Sequence, residues 1–158
     1  MGFCIWSWIW GGRLNKWLEV ALSAAGLFFA LPAAAADLTV EIQGLRSNGG
    51  AVHFGLYDQP GAFPDYDGRI AGVQAGIEAG IKGWRAVTVF KGLKPGRYAL
   101  AVYHDENANG EFDQFIFGLP LEDYGFSNGA AVFFGPPSFE AAAVTVPAQG
   151  LRITIRVD

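Results

Sequence analysis

Leu151-Arg152-Ile153-Thr154-Ile155-Arg156-Val157-Asp158 ends the sequence with an apolar residue at every odd position and a polar one at every even position. Successive side chains of an extended strand point to opposite faces. A period of two therefore describes a strand with one buried and one wet face. The same rhythm recurs upstream. Leu38, Val40 and Ile42 alternate with Thr39, Glu41 and Gln43, and Val52, Phe54 and Leu56 alternate with Ala51, His53 and Gly55. Ser47-Asn48-Gly49-Gly50 turns the chain between them, so the two segments read as a hairpin or as neighbouring strands. Tyr98, Leu100 and Val102 alternate with Arg97, Ala99 and Ala101 in the clearest central strand, just after a tight turn at Pro95-Gly96. Trp84 to Phe90 also has strand character, with Val87 and Val89 on one side.

The remaining segments are less regular. Gly72, Gly76, Gly80 and Gly83 argue against a long helix across Ile70 to Ile81, where Val73 and Ile77 suit either a short helix or an irregular strand. Phe115 to Leu119 and Ala130 to Phe134 read as short strands. Phe139 to Val146 reads as another, although Glu140 to Ala143 alone suits a helical turn. Phe63 and Tyr66 lie in a Pro/Gly/Asp loop and are expected to cover one end of the core. No long helical pattern separates the strands, which argues against a parallel α/β fold. The expected fold is all-β: an antiparallel Greek-key sandwich of about seven strands.

The first 36 residues read differently. Arg13 and Lys16 precede an almost wholly apolar run from Trp17 to Leu31, Pro32 stops it, and Ala33-Ala34-Ala35-Ala36 supplies small residues for processing. Fifteen apolar residues are short for a bilayer span, which needs about 20. Residues 1–36 are therefore expected to be a signal peptide cut after Ala36, and residues 37–158 a single periplasmic or secreted domain with no stable membrane span. The whole chain carries a net charge of -4; removing Arg13, Lys16 and Glu19 with the leader takes the remainder to -5. An acidic domain without a basic run does not suit nucleic acid. The single cysteine, Cys4, lies in the leader, so no disulfide staples the domain and its stability must come from its core.

One loop carries chemistry. His104-Asp105-Glu106-Asn107-Ala108-Asn109-Gly110-Glu111-Phe112-Asp113 places side-chain oxygens at Asp105, Asn107, Asn109 and Asp113. These match positions 1, 3, 5 and 9 of a calcium loop, with Gly110 at the sharp turn and the Glu111 carbonyl at position 7. Alternate side chains of a curled loop converge on one point, which suits a hard cation. Position 12 is Ile116 rather than a bidentate Glu, so a further carboxylate is needed, and Glu122, Asp123 and Glu106 are the candidates. With that frame calcium is expected to bind at about 10⁻⁴ to 10⁻³ M. The alternative is a metal-free loop in which Asp and Asn cap backbone amides.

Other chemistry is thinner. His53 and His104 have no third partner placed by sequence for zinc. His104 continues the parity of Leu100 and Val102 and reads as a half-buried ring bonded to loop backbone, or else as a general base beside Asp105. Ser127 and Ser138 lack a nucleophile elbow. Phe63, Tyr66, Phe112, Tyr124 and Phe126 either line a binding patch or plug the end of the sandwich.

The segment Phe90-Lys91-Gly92-Leu93-Lys94-Pro95-Gly96-Arg97-Tyr98 resembles the strand-turn-strand unit of prealbumin-like sandwich modules. Tyr98 to Gly110, Phe117-Gly118-Leu119-Pro120, Tyr124-Gly125-Phe126-Ser127-Asn128 and Phe134-Gly135-Pro136-Pro137-Ser138-Phe139 together resemble the bacterial family of exported proteins called DUF2141. That resemblance implies a prealbumin-like or Ig-like sandwich and export, and supplies no activity. The wider prealbumin-like group includes hydroxyisourate hydrolases, which end in a Tyr-Arg-Gly-Ser motif; this chain ends Ile153-Thr154-Ile155-Arg156-Val157-Asp158, which does not support that reaction. Two functions stay open: a noncatalytic binding or structural module whose loop takes calcium, and a periplasmic hydrolase using the acidic loop and His104.

Overall fold

The computed structural model describes residues 35–81 and 83–157. The expected leader therefore lies almost entirely outside the described residues.

Two sheets face each other. The first runs β4 (Ile77–Gly80), β5 (Gly83–Leu93), β1 (Ala36–Leu45), β9 (Leu151–Arg156). The second runs β3 (Ala71–Ala75), β2 (Ala51–Tyr57), β6 (Gly96–Asp105), β7 (Tyr124–Phe126), with β8 (Val144–Val146) also on β6. The sandwich is the one the period-two pattern predicts. Leu38, Val40 and Ile42 of one sheet meet Val52, Phe54, Leu56, Leu100 and Val102 of the other in a continuous core, and Ile155 and Val157 close it. Among the described residues no helix is long and apolar enough to cross a membrane.

Several details depart from the sequence reading. β1 and β2 are not hairpin partners: they lie in opposite sheets, and Ser47 to Gly50 carries the chain across the sandwich. The pairing of β1 with β9 is parallel, with Val40 opposite Ile153, whereas β1 with β5 is antiparallel. The stretch from Ile70 to Ile81 contains two strands that switch sheets at Gly76, a corner of the kind that lets a strand leave one layer for the other. Val87 and Val89 do share one side of β5, but the buried residues are Ala86 and Phe90 on the other parity, and Val89 is exposed. Ile116–Gly118 is a single 3₁₀ turn rather than a strand, residues 130–134 form no strand, and Phe139–Ala142 is a short helix, α1, capped by Ser138.

The outer face of the second sheet is only partly wet. Tyr57, Ala99, Phe139 and Ala142 form a second apolar cluster there, with Phe63 and Phe126 packed against it. Phe63 sits edge-on to Tyr57, Phe126 and Phe139, at centroid separations of 5.2, 5.7 and 6.2 Å. It thus covers a sheet face, not the end of the core. α1 and the loop around Phe63 cover part of this face.

Two candidate cation clusters and an adjoining cleft

The buried polar residues mark the site. Among the described residues they are His104, Asp105, Glu122, Asp123 and Ser127, and four of these five gather where β6 ends. Ser127 is explained by structure alone: its hydroxyl donates to the Ala142 carbonyl at 2.6 Å and accepts from the Leu100 amide at 2.8 Å. Ser138 caps α1. Neither serine is placed as a nucleophile beside a histidine.

Strand parity separates the other four. His104 follows Leu100 and Val102 to the inner face, and Asp105 follows Ala101 and Tyr103 to the outer face. The segment leading to β7 is tied alongside, the His104 amide donating to the Asp123 carbonyl at 2.8 Å. Its two acids also diverge: Asp123 joins His104, and Glu122 meets the acidic loop. Gly50 permits this convergence. Its φ is +64°, and a Cβ there would lie 1.7 Å from the Asp105 carbonyl oxygen.

On the outer side the loop curls as its spacing predicts. Asp105 accepts from the Asn109 and Gly110 amides at 3.1 and 2.8 Å. Asn107 and Asn109 direct their side-chain amides at Asp113, the first at 2.7 Å and the second at 3.1 Å. Asn109 accepts from the Glu111 amide at 2.8 Å, and the Glu111 side chain is exposed. Gly110 makes the turn at a φ of +80°. Ile116, at the twelfth position, is exposed. Glu122 reaches the loop from outside it: one carboxylate oxygen accepts from the Asp113 amide at 3.2 Å, and the other, Oε1, is buried without a hydrogen-bond partner. Burial raises the Glu122 pKa above its ordinary value, the neighbouring charges of Asp105 and Asp113 raise it further, and the Asp113 amide partly offsets this.

On the inner side, His104, Glu106 and Asp123 bring one imidazole nitrogen and two carboxylate oxygens within 4.8 Å of one another, a group able to coordinate a metal ion. His104 is fully buried, more than the half-burial its position suggests, and its Nε2 lies 2.8 Å from the Gly49 carbonyl. This is the burial of a ring bonded to loop backbone rather than of a base exposed in a cleft. Arg46 grips Asp123 with two bonds of 2.8 Å, Nε to Oδ2 and Nη2 to Oδ1. That hydrogen bond, with the Asp123 charge, raises the Arg46 pKa.

A cleft of about 930 Å³ lies against the outer face of the second sheet. Gly55, Gly72 and Ala101 form part of its lining without bulk, and Tyr66, Tyr103, Phe112, Tyr124 and Phe126 contribute rings. His53 stacks on Tyr103, its cross-strand partner, at 4.7 Å and 9°. Phe112 packs on both Tyr103 and Tyr124, at 5.3 and 5.9 Å. Burial pushes the Tyr103 phenol up to about 12. The aromatic residues singled out by sequence thus meet on a sheet face. His53, Arg46 and Gly49 were not legible as site residues: each reaches the end of β6 through sandwich topology, with no spacing signal.

A family model described as "Uncharacterized protein conserved in bacteria (DUF2141)" matches residues 40–154. No curated protein matches the chain. Among solved structures, it is similar to a leucine-rich repeat protein from Bacteroides thetaiotaomicron, at 13% identity and a TM-score of 0.42. The match covers 79% of this chain and 12% of that one.

Proposed function

The chain belongs to the DUF2141 family, and we propose that this member is an exported, noncatalytic binding module whose acidic loop is held by calcium. Its ligand presents a flat apolar face and seats in the aromatic cleft. The observation that carries this reading is the position of Phe112. It lies inside the acidic loop, between Glu111 and Asp113, and its ring is packed on Tyr103 and Tyr124 of the cleft. Whatever orders the loop therefore sets one wall of the cleft.

Asp105, Asn107, Asn109, Asp113 and the Glu111 carbonyl are the loop's ligands, and Glu122 supplies the carboxylate missing at position 12. Its unpartnered, buried Oε1 supports that role. Oxygen donors alone suit calcium, a hard ion that takes six to eight of them. The affinity is modest because the loop satisfies itself without an ion. The two amides that donate to Asp113 must turn over before their oxygens face a cation. A cleft of this volume, lined by aromatic rings together with polar side chains such as Arg69, Gln74 and Gln114, falls in the range of small-molecule sites. The burial of His104 and the structural use of Ser127 and Ser138 favour binding over hydrolysis.

The test uses 1-anilinonaphthalene-8-sulfonate as an aromatic probe of the cleft. Calcium added to chelated protein is expected to tighten probe binding, and Phe112→Ala to uncouple the two. Equal probe affinity with and without calcium, while calorimetry shows calcium bound, contradicts the coupling. Export is checked separately: the protein recovered from the periplasm or medium should begin at Asp37, and a chain retaining residues 1–36 in the cytoplasm contradicts it.

A further inference from the structure

We propose that His104 Nδ1, Glu106 and Asp123 form a second cation site, distinct from the acidic loop and selective for a zinc-class divalent ion. The decisive atom is Nδ1. The ring's other nitrogen lies 2.8 Å from the Gly49 carbonyl, an acceptor only, so Nε2 carries the proton. In the neutral ring Nδ1 is then left with a lone pair. That nitrogen is fully buried and has no hydrogen-bond partner. It faces the Glu106 carboxylate at 3.5 Å, so a lone pair confronts an anion across a gap too long for a charge-assisted hydrogen bond of about 2.7–2.9 Å. A cation between them resolves the conflict. Ligands about 2.0–2.1 Å from a tetrahedral zinc stand about 3.4 Å apart, close to the separation present.

The surroundings are those of a metal ligand set. A ligating histidine commonly donates its second ring N–H to a backbone carbonyl, which fixes tautomer and orientation, and Gly49 does this here. Asp123 is oriented by Arg46 in the same manner, and its remaining lone pairs are free to coordinate. Asp123 and His104 are held in register by the His104 amide bond to the Asp123 carbonyl. Glu106 is partly exposed, which gives an ion its way in and leaves a fourth position for water. One borderline nitrogen with two carboxylates separates this set from the all-oxygen loop: imidazole suits zinc, whereas calcium takes oxygen. The Arg46 charge lowers the attraction for a cation, so the affinity falls below that of sites built from several thiolates or imidazoles.

The experiment is a zinc titration of the chelator-treated full chain by calorimetry, in millimolar calcium, with ¹⁵N NMR of the His104 ring. One equivalent of zinc is expected, weakened at least about tenfold by Glu106→Gln, since even outer partners of metal ligands are worth 10–100-fold. Asp113→Asn should leave zinc binding unchanged, and the metal-free ring should carry its proton on Nε2. His104→Asn should abolish binding; if that variant does not fold, Glu106→Gln, at a partly exposed side chain, carries the test. No zinc uptake, equal uptake by Glu106→Gln, or loss of zinc with Asp113→Asn overturns the proposal. So does a metal-free ring that carries a proton on Nδ1, because a hydrogen bond to Glu106 then accounts for the cluster.

Discussion

His104 and Asp105 are neighbours on β6, yet the clusters they anchor are built in different ways. The outer cluster is mostly local: Asp105, Asn107, Asn109, Gly110 and Asp113 bond among themselves, and Glu122 and His53, whose Nε2 lies 3.3 Å from Asp105 Oδ2, come from elsewhere. The inner cluster is assembled from four chain segments, around residues 46, 49, 104–106 and 123. The outer one spends its loop oxygens on its own amides and leaves Glu122 Oε1, and the His53 Nε2 beside Asp105, without a hydrogen-bond partner. The inner one leaves a buried nitrogen unused. A single step along a strand moves a side chain from one face to the other, and here that step separates a loop of oxygen donors from a set that includes the His104 ring.

The largest expected effect comes from Gly50→Ala, which disturbs both clusters together. A left-handed residue would gain a Cβ 1.7 Å from the Asp105 carbonyl. Strain of this kind costs on the order of 3 kcal/mol, read by urea denaturation, and both metals should lose affinity. A fully stable Gly50→Ala variant contradicts the shared hinge. Arg46→Gln should act on the inner cluster only. It leaves the buried Asp123 carboxylate without its charged partner, which costs about 2 kcal/mol. Zinc should then rescue the variant's melting temperature more than it raises that of the parent, and calcium should not.

Calcium comes next in size. At about 10 mM, against a Kd of about 10⁻³ M, binding to the native state alone contributes about 1.4 kcal/mol. A rise in melting temperature follows, and Asp113→Asn should remove it while Glu106→Gln keeps it. The smallest effect is at Glu122. Its folded pKa lies above the ordinary value of 4.5 because burial and the Asp105 and Asp113 charges oppose ionisation. Its favourable contribution is thus complete below about pH 4.5 and is lost as the pH rises through the raised value. Glu122→Gln should therefore make the calcium-free protein slightly more stable at neutral pH, and should weaken calcium binding. A variant less stable than the parent without calcium would reverse that sign.

The contrast between the clusters also explains what could be read in advance. Alternation at Leu38 to Ile42, Val52 to Leu56 and Leu151 to Val157 revealed the sandwich, because burial on one face imposes a period of two. It did not reveal partners: Leu38 to Ile42 and Val52 to Leu56 share a rhythm but belong to different sheets. Which face of β5 is inward was not legible, because Ala86 is small and buried while Val89 is apolar yet exposed. The acidic loop was legible since its residues are spaced every second position, and the need for a further carboxylate followed from the Ile at position 12, with Glu122, Asp123 and Glu106 as candidates. The inner cluster was not, because Arg46 lies 77 residues from Asp123 in sequence. The cleft was half legible: its aromatic residues were identifiable, but the sheet face that gathers them depends on topology.

Crystals of the full chain grown with calcium and zinc together, measured at the zinc absorption edge, test the division of the two faces most directly. The account predicts a zinc peak about 2.0–2.1 Å from His104 Nδ1 and a separate calcium ion within Asp105 to Asp113 that takes Glu122 as a ligand. Both ions at one position, or calcium coordinated without Glu122 and the loop, would contradict it.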